Sequence, residues 1–249
     1  LLTAEVVAEL RQNKAELIAF LQKLEAGKYE PIPQAGLQEH YPLSPAQNRI
    51  WILEQYAKEG SAAYNIPVCY RLHGALNVAN FEQALQAITE RHESLRTVFR
   101  ETAGEPRQYI LSTKDVELRP LCVDLRDKAN AEQEAYRQAS LEMQRPFVLS
   151  EGPLLRVYLA RIGQEDHLLL MTIHHIISDE WSMRILINEL LFLYNGYHNG
   201  VEQPLDPLRI QYKDYSAWQV AQLQDNNMDA HRRYWLELFS SDVPVLNLP

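Results

Sequence analysis

Cysteine is scarce in this chain: 249 residues hold only Cys69 and Cys122. Two thiols do not make a disulfide framework in a chain of this length. Both fall in strand-like segments, so free, buried thiols are expected. Basic charge is also in deficit. Lys and Arg number 24 against 33 Asp and Glu, a formal net charge of -9. A nucleic-acid partner calls for the reverse balance. There is no signal peptide and no apolar run long enough to span a bilayer. A cytoplasmic location without a membrane partner is therefore expected. No cluster of Cys and further His supplies the ligands of a zinc site, so no metal is expected. Internal repeats and low-complexity tracts are missing too. The chain opens on Leu1 rather than Met and reads as a piece of something longer.

What is present is an ordinary globular composition, in a chain long enough for one large α/β domain or two smaller lobes. Residues 1–26 read as a separate helix. Val6, Leu10, Leu17, Leu21 and Leu24 fall on one stripe, with Arg11, Lys14, Glu16 and Lys23 off it. Thr3 suits the N-cap and Gly27 the stop. Residues 27–42 hold Pro31, Pro33, Gly36 and Pro42 without periodicity and read as a linker.

Residues 43–249 are denser. Ser44-Pro45 pairs an N-cap with a proline at the first helical position, starting a helix that runs through Trp51 to about Tyr56. Strands are expected over 68–76, 94–100, 108–111, 116–123, 154–162 and 167–173. In the second of these, Leu95, Thr97 and Phe99 should face one way and Arg96, Val98 and Arg100 the other. Val78, Phe81, Leu85 and Ile88 mark an amphipathic helix. Further helices fit 130–144, 181–197, 213–224 and 228–239, and the tail from 243 reads as irregular. The mixed order of strands and helices implies an α/β sandwich.

The most informative run is His174-His175-Ile176-Ile177-Ser178-Asp179-Glu180-Trp181-Ser182, directly after the apolar strand Leu168 to Ile173. Successive strand residues point to opposite faces. One imidazole should therefore be buried and the other open, with His175, nearer the strand end, the open one. Asp179 admits two readings. It can cap the following helix together with Ser182, or it can be a buried carboxylate that fixes the loop through an arginine. Either way it shapes the turn that aims His175.

Residues 174–182 resemble the His-His-x-x-x-Asp-x-Trp-Ser signature of condensation domains in nonribosomal peptide synthetases. Three more segments agree in the family's order. Ser44-Pro45-Ala46-Gln47-Asn48-Arg49-Ile50-Trp51 is similar to Ser-x-Ala-Gln-x-Arg-x-Trp. Arg91-His92-Glu93-Ser94-Leu95-Arg96-Thr97-Val98-Phe99 is similar to Arg-His-Glu-x-Leu-Arg-Thr-x-Phe. Tyr212-Lys213-Asp214-Tyr215-Ser216-Ala217-Trp218 resembles Tyr-x-Asp-Tyr-Ala-x-Trp. The first helix, from Leu2-Thr3-Ala4-Glu5 to Leu17-Ile18, resembles the last helix of the N-terminal docking domains that precede some condensation domains.

The resemblance implies a chloramphenicol acetyltransferase-like two-layer α/β sandwich, here the N-terminal lobe of a two-lobed domain over 43–249. It implies amide formation between an upstream acyl or peptidyl thioester and a downstream aminoacyl amine. Both would arrive on phosphopantetheine arms of partner carrier domains, with no cofactor bound by the domain itself. His175 would be the active-site residue. His174, Asp179, Arg96, Trp181 and Ser182 would hold the site together, with Arg96 the partner of Asp179. His175 could take a proton from the tetrahedral intermediate or hold the amine in line. The family's Gly after the Asp is Glu180 here. That side chain could narrow the acceptor approach, bond the incoming amine, or point to solvent. Trp181 before Ser182 favours condensation over epimerisation. Further partners implied are an upstream peptide or polyketide synthase, through the docking helix, and a C-terminal lobe, without which the piece could be inactive. Two alternatives stand beside this reading: a non-catalytic recruitment domain, and a free-standing acyltransferase using acyl-CoA.

Overall fold

The computed structural model describes residues 10–11, 13–18, 31–56, 61–201, 204–224 and 228–241. The chain divides into two units, Leu1–Pro33 and Gln34–Pro249. In the first, residues 10, 11 and 14–18 are helical and exposed. Thr3, Gly27 and the remainder of the helix expected over 1–26 lie outside the described residues, as does the tail from 243.

The second unit runs β1 (Tyr41–Pro42), α1 (Pro45–Tyr56), β2 (Asn65–His73), α2 (Val78–Arg91), a 3-10 turn (Glu93–Arg96), β3 (Thr97–Thr102), β4 (Glu105–Ile110), β5 (Leu121–Asp124), α3 (Ala131–Gln144), β6 (Leu155–Arg161), β7 (Asp166–His174), α4 (Glu180–His198), α5 (Tyr212–Gln224) and α6 (Asp229–Leu238). One sheet has the order β1-β4-β3 and the other β2-β7-β6-β5. All pairs are antiparallel except β5 with β6.

Strands β6 and β7 are covered on both faces, and this is why they read as mainly apolar runs. Leu155, Val157, Leu159, Leu169, Met171 and Ile173 pack beneath α2 and α4, which contribute Phe81, Leu85, Ile88, Met183, Leu186 and Leu190. Tyr158, Ala160, Leu168 and Leu170 pack on Ala135 and Ala139 of α3. Each large side chain so buried contributes about 1.5–3 kcal/mol of transfer free energy. A second, smaller core joins Leu43 and Ile50 to Phe99, Phe147, Leu149, Leu154 and Ile176. It ties α1 and β3 to the turn that follows β7.

The structure corrects several sequence expectations. The strand expected from Ser94 begins only at Thr97, because residues 93–96 wind into a 3-10 turn. Thr97 Oγ1 donates to the Glu93 carbonyl at 2.7 Å and closes that turn. Alternation is then lost, since Val98 and Phe99 are both buried. The strand expected from Val116 starts at Leu121. Pro120, which has no N–H for a ladder, directly precedes it. Cys69 and Cys122 are free but exposed, because β2 and β5 are the edges of the four-stranded sheet. Finally, residues 34–42 do not run free as a linker. Tyr41 is buried and pairs with Gln108 in β4, and the Ala35 N–H donates to Asp214 Oδ1 at 2.8 Å.

Strand β2 also starts earlier than expected, at Asn65, which pairs with His174. Its Pro67 is tolerated because an edge strand needs donors on one side only. Gly74, at φ 108, turns the chain out of it.

Candidate active site

His174 ends β7 and His175 is the first residue beyond it. The pleat sends the His174 ring to the α3 face, where it is 1% exposed. Phe147 stands edge-on to it at 5.9 Å between ring centroids. Its Nδ1 accepts the N–H of Ile176 at 3.2 Å, so the ring proton sits on Nε2. That atom faces Glu54 Oε1 at 3.7 Å, and neither atom has a hydrogen-bond partner among the described residues. Burial first, then the charges of His175 and Arg156, push the His174 pKa down to about 4. Burial likewise pushes the Glu54 carboxyl up. The 3.7 Å approach is therefore that of a neutral imidazole to a carboxyl, and not an ion pair.

His175 is exposed. Its backbone N–H continues the β2–β7 ladder, donating to the Tyr64 carbonyl at 2.8 Å. Its Nδ1 lies 2.7 Å from the Ser178 carbonyl. A carbonyl can only accept, so Nδ1 carries the proton and Nε2 keeps its lone pair open. The turn that brings Ser178 round is fastened at Ile176, whose side chain is buried. The Ile176 carbonyl accepts from Gln47 Nε2 at 3.2 Å, and the Ile177 N–H donates to the His174 carbonyl at 3.1 Å.

Asp179 takes the capping role. Its Oδ1 accepts from the Ser182 N–H at 2.7 Å and from Ser182 Oγ at 2.6 Å, opening α4. These bonds, the hydroxyl's foremost, hold its carboxyl below the usual range, with a smaller contribution from His175. The expected pairing with Arg96 is not made. Arg96 donates to the Leu111 carbonyl at 2.7 Å and meets Glu93 at 3.6 Å. The reason is twofold. Arg96 lies in the 3-10 turn, so strand alternation does not direct it inward. Asp179 is exposed, so no buried charge requires an arginine. Glu180 and Trp181 are also exposed, with the Arg184 guanidinium 5.6 Å over the Trp181 ring.

Periodicity gave Ser44 a cap and assigned no role to the polar side chains around it, yet these residues converge. Ser44 Oγ accepts the Gln47 N–H at 3.2 Å while Gln47 Oε1 accepts the Ser44 N–H at 3.1 Å, a reciprocal capping box. Ser44 Oγ also meets Tyr212 Oη at 2.9 Å, and Ser216 Oγ donates to Gln47 Oε1 at 3.4 Å. Gln211 joins α5 to the end of α2 through the Arg91 carbonyl at 2.9 Å, and Lys213 pairs with Glu93 at 2.8 Å. The signal was the four motif segments themselves, which the fold brings against one turn. A hollow of about 140 Å³, lined by Leu95, Ile173, Ile177, Ser178, Ser182 and Tyr212 among others, adjoins that turn. A larger one of about 510 Å³, beside Cys122, Arg161 and His167, lies at the other end of the sheet and includes no residue of the turn.

An exposed imidazole with its Nδ1 proton tied down can accept a proton at Nε2. Among the described residues, no group of three or more His, Cys, Asp and Glu is placed to hold a metal ion, and no helix is long and apolar enough to cross a membrane.

The condensation domain family profile matches residues 37–249. Tyrocidine synthase 3 of Brevibacillus parabrevis is 39% identical over 235 residues, covering 94% of this chain and 3% of that protein. The starter condensation domain of rhizomide synthetase superposes with a TM-score of 0.73 at 22% identity, over 81% of this chain and 48% of that one. The X-domain in its complex with OxyB from teicoplanin biosynthesis gives a TM-score of 0.75 at 26% identity, over 89% and 48%. The chain thus spans a small fraction of that synthase and about half of each solved chain.

Proposed function

This chain belongs to the condensation domain family, and on that premise we propose that it takes part in amide formation between two carrier-bound substrates of nonribosomal peptide synthesis. The amine nitrogen of a downstream aminoacyl thioester attacks the carbonyl carbon of an upstream acyl or peptidyl thioester. A C–N bond forms, the C–S bond breaks and the carrier thiol departs. An α-amine has a pKa of roughly 7.7 to 8, so a useful fraction of it is already neutral at physiological pH. The proton to be managed is the one the nitrogen carries after attack. His175 takes it at Nε2 and returns it to the departing thiolate. His174, Asp179 and Ser182 hold the turn, and Glu180 and Trp181 lie beside it at the start of α4.

The observation that carries this reading is the tautomer of His175. The Ser178 carbonyl fixes the proton on Nδ1 and leaves Nε2 available on an exposed ring. Residues 43–249 serve as the N-terminal lobe, with a C-terminal lobe supplying the other wall. Residues 1–26 serve as a docking contact to an upstream synthase. Both thioesters come on phosphopantetheine arms of carrier domains, so the prosthetic group belongs to the partners.

The test is His175→Ala in the full chain carrying both lobes, supplied with loaded carriers. Peptide formation is expected to fall at least about a hundredfold, with the melting temperature unchanged. Near wild-type turnover would remove His175 from the mechanism. A second reading, recruitment without catalysis, draws on the likeness to the X-domain. It predicts partner binding that survives His175→Ala and no product from the wild type. Soluble acyl-CoA offered in place of loaded donor carrier tests the free-standing acyltransferase alternative.

A further inference from the structure

We infer that Gln47 is a positioning residue for His175: its side-chain amide, reaching from α1, fixes the residue after the histidine and so the direction of Nε2. This rests on the role proposed for His175 above.

Both backbone polar groups of Ile176 are taken by side chains. Its N–H goes to His174 Nδ1 at 3.2 Å and its carbonyl to Gln47 Nε2 at 3.2 Å. The Ile176 side chain is buried in the core shared with Leu43 and Ile50. Ile176 therefore cannot rotate without giving up two hydrogen bonds and a packed side chain. Ser178, two residues on, then falls where its carbonyl holds His175 Nδ1.

The amide orientation of Gln47 follows from its partners. The Ile176 carbonyl requires a donor, while the Ser44 N–H requires an acceptor at 3.1 Å. Only a side chain with one of each, at glutamine's length, serves both. Gln47 is 3% exposed, so water does not substitute for it. A methionine fills the space and offers no donor. A glutamate keeps the acceptor but sets a second oxygen against the Ile176 carbonyl, a contact that is tolerable only when the carboxyl carries its proton.

The experiment measures kcat and KM against pH for wild type, His175→Ala, Gln47→Met and Gln47→Glu in the full chain with loaded carriers. Circular dichroism confirms the fold at each pH. Gln47→Met is expected to lower kcat about tenfold or more with KM for the loaded carriers within about twofold. Gln47→Glu is expected to be as poor at high pH and to recover as pH falls and the buried carboxyl takes its proton. The recovery is read as the ratio to wild type at each pH. Wild-type kcat in both Gln47 variants, beside an inactive His175→Ala, would overturn the positioning role and leave the proposed function standing. Parallel losses in kcat, KM and fold with no recovery of Gln47→Glu at low pH would reduce Gln47 to a structural residue and overturn it too. An active His175→Ala would overturn the function itself, and the inference with it.

Discussion

The two ends of β7 are held by different kinds of polar contact. At the Asp166 end, Arg71 lies 2.7 Å from Asp166 and 2.9 Å from Glu132, and Arg126 lies 2.6 Å from Asp124. The Arg126 hydrogen bonds hold the Asp124 carboxyl down to about 2. At the His174 end, Gln47 meets Ser44, the Ile176 carbonyl and Ser216 at longer distances, 3.1 to 3.4 Å, and these groups are neutral. Distance alone would rank the charged end higher. Solvent reverses the ranking. Arg71, Glu132 and Asp124 stand 39%, 53% and 52% exposed, so water and salt replace each contact when it breaks. Gln47, Ser44 and Ser216 are buried, and a group left unmatched there has no replacement. The exposed end decorates a surface, whereas the buried end sets a geometry.

Substitutions at the two ends measure that difference. The largest effect is expected at Asp214, buried beside the His174 end. It accepts from the Ala35 N–H at 2.8 Å and from the Gln211 N–H at 2.6 Å, closing the start of α5. Asp214→Ala should lower unfolding stability by about 2–3 kcal/mol in urea titration. A loss no greater than that of Arg71→Ala would break the contrast.

Next comes acid sensitivity at His174. Its folded pKa, about 4, lies below the ordinary 6.5. Protonation therefore favours the unfolded chain. The stabilising contribution is whole above about pH 6.5 and is lost as pH falls towards 4. Glu54, raised by the same burial, acts in the opposite sense, so the comparison is made against His174→Gln. Between about pH 8 and pH 5 the wild type should lose roughly 2 kcal/mol more than the variant. Equal slopes would show that His174 titrates alike in the folded and unfolded chain, with no depression of its pKa.

The smallest effect is expected at the exposed end. Arg71→Ala should shift the melting temperature by about 2 °C or less, and by still less in high salt. A larger, salt-insensitive shift would place that cluster among the structural ones.

Much of the fold was legible because periodicity reports burial. Helices α3, α4, α5 and α6 fall within a residue or two of their expected ranges. The β6–β7 pair was legible because both strands are buried on both faces. The misreadings share a cause. At residues 94–96 and 116–120 apolar residues are buried singly by loops, and a one-dimensional pattern cannot tell that from a strand. The Arg96–Asp179 pairing came from the family pattern and not from burial. It failed once Asp179 proved exposed and Arg96 lay in the 3-10 turn, turned to Glu93.

By itself the sequence determined that two imidazoles follow a buried strand, that one must go in and the other out, and that Asp179 stands where it can cap the next helix. These are local consequences of the two-residue pleat and of helix capping. Only the tertiary structure decided which nitrogen of His175 is free. That depends on Ser178 folding back, on Ile176 being held from α1 by Gln47, and on Ser44, Tyr212 and Ser216 closing round it. Those partners lie up to 169 residues apart. Contacts of that range are fixed by packing, which no local pattern encodes.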